Sequence, residues 1–205
     1  MPLPFSHLVL SDIVLKKNNQ IDNINESHYF IGSVFPDIRY LAKLPREKTH
    51  LAIGNSELIF NKLKQESNYF EKGILAHLYV DQIFLEYFND YLTQNKNSYY
   101  PILFLLEQKV FNDFGLAEKF APYFDSVLID EANKYSINIE IVKKWHSLIQ
   151  KYLSSGMNAD FSCEFLRQIG MDDNFLNEIM QGVEKIKNNN EIKEKIENFK
   201  NVVGS

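Results

Sequence analysis

The stretch Gly73-Ile-Leu-Ala-His77-Leu-Tyr-Val-Asp81-Gln-Ile-Phe84 decides how the chain is read. It is apolar enough to be buried, yet it carries an imidazole and a carboxylate four residues apart. On an α-helix, positions i and i+4 lie one above the other, so His77 and Asp81 share a face. Gly73 stands one turn earlier on that face. A glycine inside a helix costs about 1 kcal/mol relative to alanine, so its missing side chain is expected to make room for something, with a metal or substrate the expected neighbour. On these residues alone two readings stay open: half of a divalent metal site, or a buried His–Asp hydrogen-bonded pair.

Working outward, the pattern is helical throughout. The central helix is expected over about Tyr69 to Tyr91, then a loop at Asn95 to Ser98, then a helix with Pro101 in its first turn that ends near Gly115. Upstream, Ser6 reads as the N-cap of a first helix closing on Lys16 and Lys17, and Asn18 to Glu26 as a loop. A second helix starts near Ser27 and meets Pro36, which disfavours helical geometry at Phe35. Asp37 then falls at a break, or in the first turn of a helix running Ile38 to Lys43. Pro45 to Thr49 reads as a polar connection delivering His50, and Ser56 as the cap of a helix carrying Leu58 to Leu63.

Downstream, Pro122 is expected to open a helix through Val127, Leu128 and Ala132. Ile137 to Leu153 has a helical period, Phe161 to Ile169 forms a short helix stopped by Gly170, and Asp172 starts the last helix. Residues beyond Lys185 are mostly Lys, Glu, Asn and Ile, which suggests a solvated helix or a frayed end over 186–205. No segment alternates with period two, and there are no repeats. The expected fold is therefore all-α: a single-domain helical bundle over 1–205, with the metal-site half in about 1–95 and further helices in about 96–205.

A chain of 205 residues supports one substantial core. The 16 Phe and 11 Tyr point to a thick core or an apolar cleft. A net charge of −5 argues against a general nucleic-acid or anionic-membrane binder, which would normally show a basic face. The lone Cys163 cannot form an internal disulfide, which suits a reducing compartment. No run reaches the ~18 apolar residues of a membrane span, and no cationic segment precedes the N-terminal apolar run. The expected location is cytoplasmic.

Further candidate ligands precede the central helix: Asp37 in Phe35-Pro-Asp37-Ile-Arg39 and His50 in Lys48-Thr-His50-Leu51. With His77 and Asp81 they supply two imidazoles and two carboxylates. Such a set suits zinc, and also manganese or iron, where geometry rather than affinity selects the metal. His7 is a fifth candidate, balanced between ligand and core histidine. Arg39 could clamp a phosphate or pair with a carboxylate. His28 and His146 read as a surface residue and a packing residue.

In order and local wording, these elements resemble the zinc-dependent phospholipase C family, whose fold is shared with fungal single-strand nucleases. The shared elements are the early His7, the Gly32 to Pro36-Asp37 turn, His50, and the Gly73-x-x-x-His77-x-x-x-Asp81 run; they cover roughly the first 90 residues. The resemblance implies an all-α metal hydrolase acting on phosphate esters, phosphodiesters or phospholipid headgroups favoured. It implies Asp37, His50, His77 and Asp81 as ligands of one metal, and His7 with bridging Asp81 at a second. In secreted members the remaining ligands of that second metal come from an N-terminal tryptophan, which has no counterpart here. The family's third metal needs downstream ligands, but Tyr87 stands about where the next His should be, so one or two ions are expected. Asp37 or Asp81 would orient or deprotonate the attacking water, with Arg39 and Gly73 near the substrate. The alternatives are a non-catalytic metal-binding protein, since fold does not fix activity, and an acyl-carrier-protein phosphodiesterase-like enzyme. The adjacent His-Asp pair of the HD phosphohydrolases is absent.

Overall fold

A computed structural model describes residues 3–17, 26–50, 54–114, 117–125, 133–155 and 159–205. Among these the regular structure is entirely helical. The parts of the expected 18–26 loop before Glu26, the stop near Gly115 and the helix through Val127, Leu128 and Ala132 lie outside the described residues.

The central helix, α5 (Tyr69–Gln94), is 26 residues long, about 39 Å at 1.5 Å per residue. It begins where the Asn68 side chain accepts the Glu71 amide. From Phe70 to Phe84 it is buried almost all round, which is why its sequence reads as a nearly unbroken apolar run. Against it lie α1 (Pro4–Lys17), α2 (Glu26–Val34) and α4 (Ser56–Gln65). α4 is capped by Asn55, which accepts the Leu58 amide, and not by Ser56; the Ser56 hydroxyl instead donates to Glu86 at 2.5 Å.

The α2–α5 crossing is the most extensive helix contact, and two glycines make it possible. A Cβ on Gly73 would run into the Tyr29 carbonyl, and one on Gly32 into the Phe70 carbonyl. Gly73 therefore faces the backbone of α2, and not a metal or substrate. Its function is to let two helices touch. Gly73→Ala is expected to lower unfolding free energy by about 2–3 kcal/mol, although alanine is the better helix former. Chemical denaturation would measure it, and an unchanged midpoint would contradict the close packing.

After α2 the chain tightens into a 3₁₀ turn, Phe35–Ile38, placing Pro36 where its missing N–H costs nothing. A short α3 (Arg39–Ala42) follows and ends at Lys43 in the left-handed region, φ 53°. A second 3₁₀ turn, Arg46–Lys48, leads to His50.

The rest of the chain encloses this centre. α6 (Tyr99–Phe114) starts two residues before Pro101 and packs on α1. It is followed by α7 (Ala117–Phe120), a 3₁₀ turn headed by Pro122 (Ala121–Phe124), α8 (Ile139–Ser154), α9 (Ala159–Gln168), α10 (Asp173–Ile186) and α11 (Asn190–Gly204). Of the two readings for 186–205, a solvated helix or a frayed end, the structure has the helix, docked along one face. Ile192, Ile196, Phe199 and Val203 recur at helical spacing and are buried, with Phe199 against Phe84 and Phe88 of α5. The charged residues between them form its solvent face. One continuous apolar core runs from Leu3 to Val203. None of the described helices is long and apolar enough to cross a membrane.

Ser6 does not cap α1. Its hydroxyl donates to the Leu3 carbonyl, and the free amides of Phe5 and Ser6 are taken by the buried Glu107 carboxylate of α6, at 3.1 and 2.7 Å. Tyr152 of α8 donates to the same carboxylate at 3.0 Å. Burial pushes the Glu107 carboxyl up to about 7, against these hydrogen bonds, which favour its ionised form. A carboxyl whose folded value is raised is most stabilising while protonated. Its contribution is full below pH ~4.5 and declines as pH rises through 7, by about 3 kcal/mol in all. Unfolding at pH 5 and pH 8 is expected to show this decline in the wild type and a smaller one in Glu107→Gln. Equal declines in the two proteins would contradict it.

Candidate metal centre

The structure brings His7, Asp37, His50, His77 and Asp81 to one buried point. α1 contributes His7, the proline-induced 3₁₀ turn Asp37, the chain after the second 3₁₀ turn His50, and α5 His77 and Asp81. The close α2–α5 crossing sets the first of these contacts: because Gly73 lets α2 approach, the Ser33 carbonyl lies 2.9 Å from His77 Nδ1.

That contact fixes a tautomer. A carbonyl only accepts, so Nδ1 carries the hydrogen and Nε2 of a neutral His77 is a bare lone pair. At His50 the neighbour is the Thr49 hydroxyl, 3.0 Å from Nδ1. That hydroxyl donates to the Pro36 carbonyl, so it accepts from His50 Nδ1–H, and the Nε2 of His50 is bare as well. The two Nε2 atoms face each other at 3.2 Å. Burial keeps His77 well below its ordinary pKa and takes His50 down to about 2, so no proton stands between them near neutrality. Two opposed lone pairs in a dry interior call for a cation. Around a zinc ion with Zn–N near 2.0–2.1 Å, tetrahedral neighbours stand ~3.3 Å apart. The spacing fits.

The carboxylates complete the arrangement. Asp81 turns Oδ2 towards His77 and His50, at 3.7 and 3.8 Å, and Oδ1 towards His7 Nε2 at 3.7 Å. Asp37 turns Oδ1 towards His50 and Oδ2 towards His7, each at 4.0 Å. Each carboxylate thus presents one oxygen to the His50 side and the other to His7. None of these N···O distances is a hydrogen bond, which excludes the buried His77–Asp81 hydrogen-bonded pair. The His7 ring stacks on His77 with centroids 3.7 Å apart; both its nitrogens, like Asp37 Oδ1, are buried without a hydrogen-bond partner. Such groups are costly to leave unmade. These buried His and Asp clusters could hold a metal ion.

Charge is unevenly held. Burial raises Asp37 to about 7 and keeps His7 neutral. Burial also pushes Asp81 upwards, but His77 and the Arg46 guanidinium help bring it below the usual carboxylate value. Arg46 Nη2 lies 3.2 Å from Asp81 Oδ2.

Sequence reasoning did not single out Arg46, which sits in the segment read only as a connection. Its one local signal is its position four residues before His50, whose amide bonds to the Arg46 carbonyl at 2.8 Å. Arg39 is placed differently from the expected phosphate clamp: its guanidinium lies over the Tyr40 ring at 3.9 Å and donates to the Tyr40 hydroxyl. Gly73 is at the helix crossing. Tyr87 stands against Phe88 and Phe199, and His146 is buried edge-on to Phe124, both away from the cluster.

No family model matches the chain, and neither a curated protein nor a solved structure matches it.

Proposed function

We propose that the protein is a metal-dependent hydrolase of phosphate esters, phosphodiesters favoured, with zinc its most suitable metal. The observation that carries the metal is the pair of bare Nε2 atoms at 3.2 Å, flanked by Asp81 Oδ2 and Asp37 Oδ1. His50, His77, Asp37 and Asp81 would hold one ion. His7, with the second oxygen of each aspartate, would hold another. Support for phosphate chemistry comes from the resemblance of these elements, in order and local wording, to the zinc-dependent phospholipase C family.

Held there, divalent ions would supply Lewis-acid polarisation of a phosphoryl oxygen and a water of lowered pKa. The residues themselves supply the rest. Ser33 and Thr49 lock His77 and His50 in the tautomer that offers Nε2. Asp37, with an oxygen turned to each half of the centre, would take the proton of the reacting water. Asp81 stays ionised and orients the reacting water. The surrounding helices keep other water out.

The near-complete burial of the ligand residues favours a second reading, a closed metal site without chemistry. Incubating zinc-loaded protein with an aryl phosphodiester separates the two. Hydrolysis that disappears on chelation and returns with zinc supports the enzyme. One tightly held metal and no hydrolysis with any divalent ion supports the closed site.

A further inference from the structure

We propose that Arg46 is the anion-binding residue of the centre, its guanidinium taking an oxygen of a phosphate group seated on the metal site, so that the site selects anionic esters over neutral ones. This rests on the metal-centre reading and adds to it the residue that recognises the substrate's charge.

Position is the first support. The turn that carries Arg46 also carries a ligand: its carbonyl accepts the amides of Thr49 and His50, at 3.1 and 2.8 Å. Movement of Arg46 and of His50 is therefore tied together. The Arg46 side chain is about half exposed, at 48%, while the Asp81 side chain it touches is 7% exposed. Arg46 thus reaches from solvent to the edge of the buried centre.

Bonding capacity is the second. A guanidinium has five N–H donors in a fixed planar fork. The contact with Asp81 is made through Nη2 alone, to the oxygen that also faces His50 and His77. Among the described residues the remaining donors have no partner, which leaves them for the parallel, charge-assisted hydrogen bonds that arginine makes to phosphate.

Charge balance is the third. The centre's own carboxylates, Asp37 and Asp81, sum to −2 when both are ionised, and imidazoles that ligate a metal are neutral. Two divalent ions together with Arg46 reverse that sign, and a site of net positive charge attracts an anion. Arg39 gives its guanidinium to the Tyr40 ring and hydroxyl.

The test is calorimetric titration of inorganic phosphate into zinc-loaded wild type, Arg46→Gln and Arg46→Lys, with zinc counted in each sample. Because Arg46 is half exposed, its variants are expected to fold, and thermal melting checks this. Zinc per chain should be the same in all three. Phosphate affinity should fall about 10–100-fold in Arg46→Gln and be partly restored in Arg46→Lys. Equal affinity in wild type and Arg46→Gln overturns the role of Arg46 while leaving the metal centre standing, as does a zinc-loaded wild type that binds no phosphate. A wild type that binds no zinc overturns both.

Discussion

The double variant His77→Ala, Asp81→Ala is expected to lose its metal while keeping its helices. A four-ligand zinc site is worth ~10–16 kcal/mol, or about 3 kcal/mol per ligand, so removing two ligands weakens binding on the order of 10⁴-fold. Asp81 presents an oxygen to each half of the centre, so both ions are affected. The helical circular dichroism should largely survive, because few contacts of the fold depend on these two side chains. The deleted groups form no hydrogen bond with each other, and His77 Nε2 faces only another lone pair. Their own contacts, His77 Nδ1–H to the Ser33 carbonyl and Asp81 to Arg46, are few, so their loss lowers stability without removing the helices. Unchanged metal stoichiometry in this variant would remove the proposed site.

His7→Ala should act more selectively. His7 faces only the outer oxygens, Asp37 Oδ2 and Asp81 Oδ1, so the set of His50, His77, Asp37 and Asp81 keeps its four donors. One ion is expected to remain. Hydrolysis of an aryl phosphodiester is expected to fall roughly 10³-fold, since two ions can hold both the attacking and the leaving oxygen and one cannot. The variant also loses the ring stacked on His77, so its melting temperature should drop by a few degrees. Full activity with one metal per chain would show that His7 is a packing histidine.

What the sequence made legible was local. His77 and Asp81 share a helical face because of their spacing, Pro36 breaks the helix before Asp37, and the Asp172 cap of α10 is visible as a residue type. The face of α5 bearing Gly73 was also legible, but what lies against it was not. A missing side chain announces a close approach, and whether the partner is a ligand or a helix depends on a contact 44 residues away. Glu107 and Arg46 are opaque for the same reason: their partners stand 101 or 102 and 35 residues distant, and no periodicity encodes such pairs. α11 was legible as one of two readings, a helix or a frayed end, but its docking was not. Its charges outnumber its apolar residues, yet four apolar side chains at helical spacing suffice to dock it on α5.

The pair of bare Nε2 atoms makes one demand above all others, a cation between His50 and His77. Elemental analysis of protein saturated with zinc and freed of excess metal tests it directly. Two zinc ions per chain are expected, falling to one in His7→Ala and to none in His77→Ala, Asp81→Ala. A wild-type chain that retains no zinc, manganese or iron would contradict the metal centre itself.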